Sequence, residues 1–203
     1  MKIGLLIAIE RELKAFLESG AEILTEKVCG RTVYRTRMGE HEIFALCSGY
    51  GEIDAAAGTQ LLIVKYGCER ILNFGVTGAL EPALKVEDLF VVRKVCHYDY
   101  DVSPIDPVKP HQYAEFPDEF IPLDGALIAQ AKEIEPELRA KGCQICDMEI
   151  AAIARICWMS GVPCLSIKCI SDTYEGDGGD FAANVERSAA RAFRVLKNLI
   201  TRM

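Results

Sequence analysis

An uninterrupted run of apolar residues at the start of the chain is the feature that most constrains its fold. Residues 2–9 read KIGLLIAI, with no alternation between apolar and polar positions. Alternation marks a strand with one face in solvent, whereas a short continuous run is typical of a strand that is buried on both faces. The run therefore predicts a buried strand in a sheet that is flanked by helices.

The segments that follow the run alternate between helical and extended patterns. Residues 10–18 predict a helix, because Leu13, Phe16 and Leu17 share one apolar stripe. The rest of the N-terminal half predicts three consecutive strands and then a helix rich in small residues, at 21–28, 31–38, 41–47 and 52–66.

Strands and helices alternate through the C-terminal half. The predicted strands are 71–74, followed by a glycine-rich turn at 75–78, then 88–95, 143–147 and 164–170; residues 103–122 read as a proline-rich loop. The predicted helices are 124–135, 148–160 and 180–202. This order predicts an α/β fold with a mixed, largely parallel sheet, in a single domain over residues 1–203.

Composition limits the class of protein and of partner. The net charge is −7 and the pI is near 5.1, a balance that argues against nucleic acid or an anionic membrane as the partner. No apolar run reaches the ~18–20 residues that would span a bilayer. The first residues briefly resemble a signal peptide, but Glu10, Arg11 and Glu12 end the apolar run, so we expect a soluble, cytoplasmic protein.

The cysteines indicate a reducing compartment and no metal. There are nine, an odd number, and most lie in apolar segments, as small core residues do. Cys143 and Cys146 form a lone CxxC pair without nearby histidines, so two buried thiols are a better interpretation than a zinc site. We expect no metal and no other cofactor.

Polar residues follow five of the predicted strands, at the edge where ligands collect in open α/β sheets. They are Glu10 and Glu12, residues 48–51, residues 73–78, Asp147 to Glu149, and Ser171 with Asp172. Each segment taken alone is better explained as a helix cap or a turn. Their recurrence at successive strand ends predicts a polar active-site cleft.

These segments carry a resemblance to the nucleoside phosphorylase and nucleosidase superfamily. The chain is similar to that family at MKIGLLIAIERE, SGYGEIDAAAGTQLL, NFGVTGALEPALKVEDLFVV, CDMEIAAIARIC and IKCISDTYEGD, in the family's order. The branch that it resembles most is 5′-methylthioadenosine/S-adenosylhomocysteine nucleosidase. The resemblance implies a phosphorylase-like three-layer α/β fold, a homodimer and cleavage of the base–sugar bond of a purine nucleoside.

The resemblance also implies a role for each site residue. Asp172 would be the general acid that protonates the leaving base, with Ser171 supporting it, and Glu12 would deprotonate the attacking water. Glu149 would bind the ribose hydroxyls and stabilise the developing positive charge, and Met148 would pack on the sugar. Gly75 and Val76 would lie against the substrate on the glycine-rich segment.

Three functions are compatible with this resemblance: hydrolysis by water, phosphorolysis by phosphate, and binding of a nucleoside without turnover. Phosphorolysis needs cations and hydroxyls around a phosphate, but Asn73 stands where hexameric purine phosphorylases have Arg, and Val76 has no hydroxyl. Water is therefore the expected nucleophile, with a phosphorylase that uses Arg11 or another cation as the alternative. A nucleoside-binding protein without turnover is the third possibility, because the family's SGDxFI base-binding segment has no counterpart here.

Aromatic and histidine residues outside these motifs have structural interpretations. Tyr113 and Phe116 could form an aromatic lid, but loop aromatics more often pack locally. His97 and His111 are expected in structural or subunit contacts rather than at a metal, and His41 reads as a surface residue of a strand.

Overall fold

The apolar run at the start of the chain forms a strand in the middle of the sheet. The computed structural model describes residues 1–20, 22–139, 144–173, 175–176 and 178–203. The strands are Lys2–Ile7 (β1), Leu24–Val28 (β2), Arg31–Met38 (β3), His41–Cys47 (β4), Arg70–Ala79 (β5), Leu89–Val91 (β6), Lys94–Cys96 (β7), Phe120–Pro122 (β8), Ile145–Cys146 (β9) and Cys164–Asp172 (β10). The helices are Glu10–Leu17 (α1), Glu52–Tyr66 (α2), Gly125–Ile134 (α3), Ile150–Ser160 (α4) and Gly178–Arg202 (α5).

The sheet has a parallel centre and antiparallel flanks. Its order is β2-β3-β4-β1-β5-β10-β6, and the short β9 pairs with β5. The neighbours β4, β1, β5 and β10 run parallel, whereas β2, β3, β6 and β9 pair antiparallel. The parallel strands end at the same edge, so the polar segments that follow them meet there.

Helices cover both faces of the sheet, which confirms the predicted three-layer α/β architecture. One core packs Leu5 of β1 against α1, α3 and α5, and the other packs Leu6 against α2 and α4. Successive residues of a strand point to opposite faces, so an unbroken apolar run serves both cores. Gly58 allows α2 to lie close to the sheet, because a Cβ there would approach Leu6 and Leu46.

Two strands are longer than predicted, and both carry site residues. The predicted turn at 75–78 is wrong, since β5 continues to Ala79, paired with β10 up to Gly78. The strand predicted at 164–170 likewise continues to Asp172. Glycines in a sequence usually indicate a turn, but here the neighbouring strand forms hydrogen bonds with the backbone of this segment and keeps it extended.

Other elements are shorter or divided. The strand predicted at 88–95 is two strands, of which β6 joins the main sheet and β7 pairs with β8 at the end of the proline-rich loop. The strand predicted at 143–147 is reduced to β9 among the described residues. The prediction of two buried thiols is wrong for Cys146, which is exposed at the end of β9, and Cys143 lies outside the described residues. The helix predicted from residue 148 begins at Ile150, because Asp147 holds the backbone before it.

His41 corrects a prediction. It was expected at the surface but is buried, since β4 lies inside the sheet between β3 and β1. Burial, with the N-terminal ammonium and Arg70 nearby, lowers the pKa of its imidazole.

The aromatics of the proline-rich loop pack locally. Tyr113 stacks on Tyr100 with ring centroids 4.0 Å apart, and the Arg155 guanidinium lies 4.2 Å from the centre of the Tyr113 ring. Phe116 is buried against Trp158. Among the described residues, no helix is long and apolar enough to cross a membrane.

Candidate functional site

A hollow of about 130 Å³ opens where β1, β5 and β10 end. It is lined by Ala8, Ile9, Glu12, Tyr50, Val76, Thr77, Gly78, Cys146, Asp147, Met148, Glu149, Ser171, Asp172 and Phe181. Six of the seven residues predicted for the site lie on this wall: Glu12, Val76, Met148, Glu149, Ser171 and Asp172. We call it the carboxylate hollow, because three carboxylates predicted from distant parts of the sequence share it.

Glu12 points back into the sheet from the first turn of α1. Its Oε1 accepts a hydrogen bond from the Val76 N–H at 2.7 Å, and its Oε2 accepts one from the Ile9 N–H at 3.3 Å. The side chain is buried, and burial raises its pKa to about 7, even though the Lys168 charge and the two N–H donors act in the opposite direction. A carboxylate in this state can exchange a proton near neutral pH.

Gly75, the seventh predicted residue, lies behind Glu12 rather than on the wall of the hollow. A Cβ at this position would collide with the Glu12 carboxylate. The glycine therefore gives the Glu12 side chain the space that it occupies against β5.

Glu149 and Met148 lie just before α4 and differ in their exposure to solvent. Glu149 is buried, and its Oε1 accepts a hydrogen bond from the Gly51 N–H at 2.7 Å, beside the start of α2. Burial and the neighbouring Asp147 raise its pKa. Met148 leaves 61% of its surface exposed at the mouth of the hollow, where a ligand could cover it.

Asp172 ends β10 with a hydroxyl beside it. The Ser171 Oγ donates to Asp172 Oδ1 at 2.6 Å, and the buried Ser171 is held in turn by its carbonyl, which accepts from Asn184 Nδ2 at 3.0 Å. Gly78 leaves room for Asp172 Oδ2, which lies 3.1 Å from where a Cβ would stand. These contacts aim one carboxyl oxygen at the serine and leave the other beside β5.

Sequence reasoning missed a buried ion pair beneath these groups. Lys168 Nζ lies 2.6 Å from Asp147 Oδ2, and both side chains are almost fully enclosed. Burial alone would lower the pKa of Lys168, but the carboxylates of Asp147, Glu12 and Glu149 outweigh it and the net shift is upward. The signal was a single lysine in the otherwise uncharged strand CLSIKCI, a position that requires a buried partner.

Asp147 also has the capping role considered from the sequence. Its Oδ1 accepts hydrogen bonds from the N–H groups of Glu149 and Ile150, at 2.9 and 2.7 Å. One carboxylate thus holds the start of α4 through one oxygen and Lys168 through the other, which fixes Glu149 relative to β10.

Cations are kept away from the hollow itself. None of the described residues that line it is lysine or arginine. Arg11 donates instead to the Ala182 carbonyl at 2.5 Å, and Asn73 is buried with its amide donating to the Leu6 carbonyl. Within the described part of the chain, no group of three or more His, Cys, Asp or Glu side chains could hold a metal ion.

Comparison with known families identifies the superfamily. The family model described as "Phosphorylase superfamily" matches residues 2–139 and 130–201. The chain belongs to the phosphorylase superfamily. The carboxylate hollow therefore lies in a fold that this superfamily shares.

Related nucleosidases align over most of the chain. A 5′-methylthioadenosine/S-adenosylhomocysteine nucleosidase of Tolumonas auensis is 28% identical over 200 residues, 85% of this chain and 86% of that protein. An aminodeoxyfutalosine nucleosidase of Helicobacter pylori is also 28% identical, in an alignment of 229 positions that covers 98% of each chain. A crystal structure of the Helicobacter pylori 5′-methylthioadenosine/S-adenosylhomocysteine nucleosidase with a bound pyrrolidinol compound superposes with a TM-score of 0.91 at 26% identity, covering 100% of this chain and 99% of that one.

Proposed function

We propose that this protein hydrolyses the N-glycosidic bond of a purine nucleoside and releases the free base and the sugar. The observation that carries the proposal is the placement of Glu12, Glu149 and Asp172 around one hollow at the carboxyl edge of the sheet. Breaking this bond builds positive charge on the ribose and negative charge on the base. Carboxylates on the sugar side and a proton donor on the base side stabilise both charges.

Asp172 is the proposed general acid. In its protonated form it would give its proton to a ring nitrogen of the departing base as the bond to the sugar breaks. The Ser171 hydroxyl, 2.6 Å from Oδ1, fixes the rotamer of the carboxyl group. The base would lie between Asp172 and the backbone of β9, which pairs with β5 at Gly78 and Ala79.

Glu12 and Glu149 are the proposed groups of the sugar side. Glu149 would accept hydrogen bonds from ribose hydroxyls and Met148 would cover the ring, because one is buried and charged and the other is exposed and apolar. Glu12 would take a proton from water as the water oxygen bonds to the sugar carbon. Its raised pKa, about 7, suits a base that works near neutral pH.

Water is favoured over phosphate as the nucleophile. The Val76 side chain has no donor, and its N–H is already used by Glu12. Lys168 is enclosed and paired with Asp147, and Arg11 is turned toward α5. A phosphate dianion would therefore meet carboxylates in this hollow without a described cation on its wall to offset them.

The names of the relatives indicate the substrate class. They are nucleosidases for 5′-methylthioadenosine, S-adenosylhomocysteine or aminodeoxyfutalosine. We infer that this chain takes a purine nucleoside with a substituent at the 5′ carbon.

A substrate panel tests the proposal. Wild-type protein is incubated with methylthioadenosine, adenosylhomocysteine, adenosine, inosine and futalosine, each with and without phosphate, and free base is quantified. We expect base release from at least one nucleoside at a rate that phosphate does not change. Release only with phosphate would make the protein a phosphorylase, and binding without release would make it a nucleoside-binding protein.

We also infer that the protein acts as a homodimer of single-domain subunits in the cytoplasm. The apolar surface of α2 supports a subunit contact, since Ile53 is 88% exposed and Val64 is 70% exposed on the same side of the helix. The free thiols of the described cysteines, among them the buried neighbours Cys157 and Cys164, suit a reducing compartment.

A further inference from the structure

The short strand β9 brings a cysteine to the wall of the carboxylate hollow. β9 pairs with β5 at two positions, Gly78 with Cys146 and Ala79 with Ile145. On the other side of β5, Gly78 is also paired with Asp172 of β10. Gly78 therefore lies between Cys146 and the proposed general acid, and all three residues line the hollow.

The two side chains that flank Gly78 lie on the same face of the sheet. Directly paired residues share a face, and a Cβ on Gly78 would lie 3.1 Å from Asp172 Oδ2. Neighbouring strands are about 4.8 Å apart, so the backbones of β9 and β10 are about 10 Å apart at this level. Because the glycine between them has no side chain, a planar base can approach the backbone there. We call the space between Cys146 and Asp172 the Gly78 slot.

Thr77 holds the β9 side of the Gly78 slot in place. The buried Thr77 donates a hydrogen bond from its Oγ1 to the Cys146 carbonyl at 2.7 Å. The Leu80 N–H donates another to the Gln144 carbonyl at 2.8 Å. A strand of two residues forms few backbone hydrogen bonds, so one side-chain hydrogen bond is a large part of what attaches it to β5.

The chemistry of Cys146 suits a contact with the leaving base. The residue is exposed, but its thiol is partly enclosed, and this burial and the carboxylates of Asp147 and Asp172 raise its pKa. The thiol therefore stays protonated near neutral pH and adds no negative charge beside a base that becomes negative as its bond to the sugar breaks. Sulfur also makes favourable contacts with the edge of an aromatic ring.

We propose that Cys146 is a specificity-determining residue, which contacts the edge of the purine base opposite the edge that Asp172 protonates, and that Thr77 is the residue that positions it. This inference rests on the proposed nucleosidase function. It adds that the side chain at position 146 limits the size of the substituent that the base carries on that edge.

Substitutions of Cys146 test its contact with the base. The specificity constant kcat/KM is measured for methylthioadenosine and for its analogues with chlorine at C2 or a methyl group at N6, since these positions lie on different edges of the base. In Cys146→Leu, which narrows the slot, the ratio of one analogue to the parent should fall about tenfold. The same ratio should rise about two- to fivefold in Cys146→Ala, which widens the slot. Cys29→Ala, at an exposed cysteine outside the hollow, should leave both ratios as they are.

Substitutions of Thr77 test the positioning. Thr77→Val keeps the shape of the side chain but removes the hydroxyl group, so KM should rise about two- to tenfold, the effect of one hydrogen bond, with a smaller change in kcat. Thr77→Ser retains a hydroxyl group and should retain the wild-type KM. A wild-type KM in Thr77→Val would overturn the positioning role.

Alkylation separates this inference from the proposed function. Iodoacetamide labelling is followed by mass spectrometry in Asp172→Asn, so that the nucleoside is not consumed. Methylthioadenosine should slow the labelling of Cys146 and leave that of Cys29 unchanged. If wild-type protein hydrolyses the nucleosides but neither the ratios nor the labelling responds, this inference alone is overturned. If no nucleoside is hydrolysed but methylthioadenosine protects Cys146, the proposed function fails and the contact with the base is supported.

Discussion

Glu12 is a carboxylate that the fold keeps out of water, with 3% of its surface exposed. Its pKa is raised from 4.5 to about 7, so the folded protein binds this proton more tightly than the unfolded chain does. The free energy of unfolding must then fall as the pH rises from 4.5 to 7, because ionised Glu12 costs more in the folded state. Such a cost is typical of a group retained for its chemistry.

Glu12→Gln tests this cost, because glutamine has nearly the same shape and does not ionise. The free energy of unfolding of the variant relative to wild type should rise by roughly 3 kcal/mol between about pH 4 and about pH 8. Urea unfolding across this range measures the difference. A constant difference would contradict the account, and Glu10→Gln, at the same helix start but exposed, is the control.

Gly75→Ala tests the position of the same carboxylate. The added Cβ collides with the Glu12 carboxylate, which must move away from β5. We expect kcat/KM to fall roughly 10²-fold, the cost of displacing a catalytic group by about 1 Å. Gly125→Ala, where a Cβ meets open space, should leave activity unchanged; equal activity of the two variants would show that Glu12 does not need its present position.

One buried ion pair joins the middle of β10 to the segment that precedes α4. Lys168 of β10 and Asp147, which holds the start of α4, lie 2.6 Å apart with almost no solvent access. Removing one partner from such a pair leaves an uncompensated buried charge and costs about 3–5 kcal/mol. The pair therefore sets the distance between the elements that carry Asp172 and Glu149.

A double-mutant cycle measures this coupling. Lys168→Met and Asp147→Asn should each lower the free energy of unfolding, and asparagine keeps an oxygen to cap α4. The double variant should lose less than the sum of the two single losses by roughly 1–3 kcal/mol. Strictly additive losses would show that the two elements are held by other contacts.

The sequence predicted elements well where the pattern was local. The helix at 52–66 matches α2 at both ends, because Gly51 and Gly67, both with positive φ, bound it. The prediction failed where pairing with a neighbouring strand determines the structure. Gly75 was predicted to lie in a turn, but pairing with β10 makes it part of β5. The Lys168–Asp147 pair was missed for the same reason, since its partners are 21 positions apart and meet only when the sheet forms.

The whole-molecule prediction concerns the exposed apolar side of α2. Ile53 and Val64 would be costly to leave in water at their present exposures of 88% and 70%. Sedimentation should find a dimer of wild-type protein and a monomer of the Ile53→Glu, Val64→Glu variant. Leu24→Glu changes an exposed residue of β2 and should remain dimeric. A monomeric wild-type protein would contradict the proposed subunit contact.

At the scale of the molecule, the sequence predicted which residues meet but not the space around them. Six predicted residues line one hollow because parallel strands end at a common edge. The space beside this hollow, lined in part by Lys27 of β2 and Arg31 of β3, could not be predicted, because it forms only when these strands pair.

The central claim is that the carboxylates of this hollow cleave a glycosidic bond. The most direct measurement is the rate of adenine release from methylthioadenosine by wild type, Asp172→Asn and Glu133→Gln, the last removing an exposed carboxylate of α3. We predict a loss of about 10²–10⁴-fold in Asp172→Asn, the usual contribution of a general acid, and none in Glu133→Gln. A folded Asp172→Asn protein that releases adenine at the wild-type rate would contradict the account.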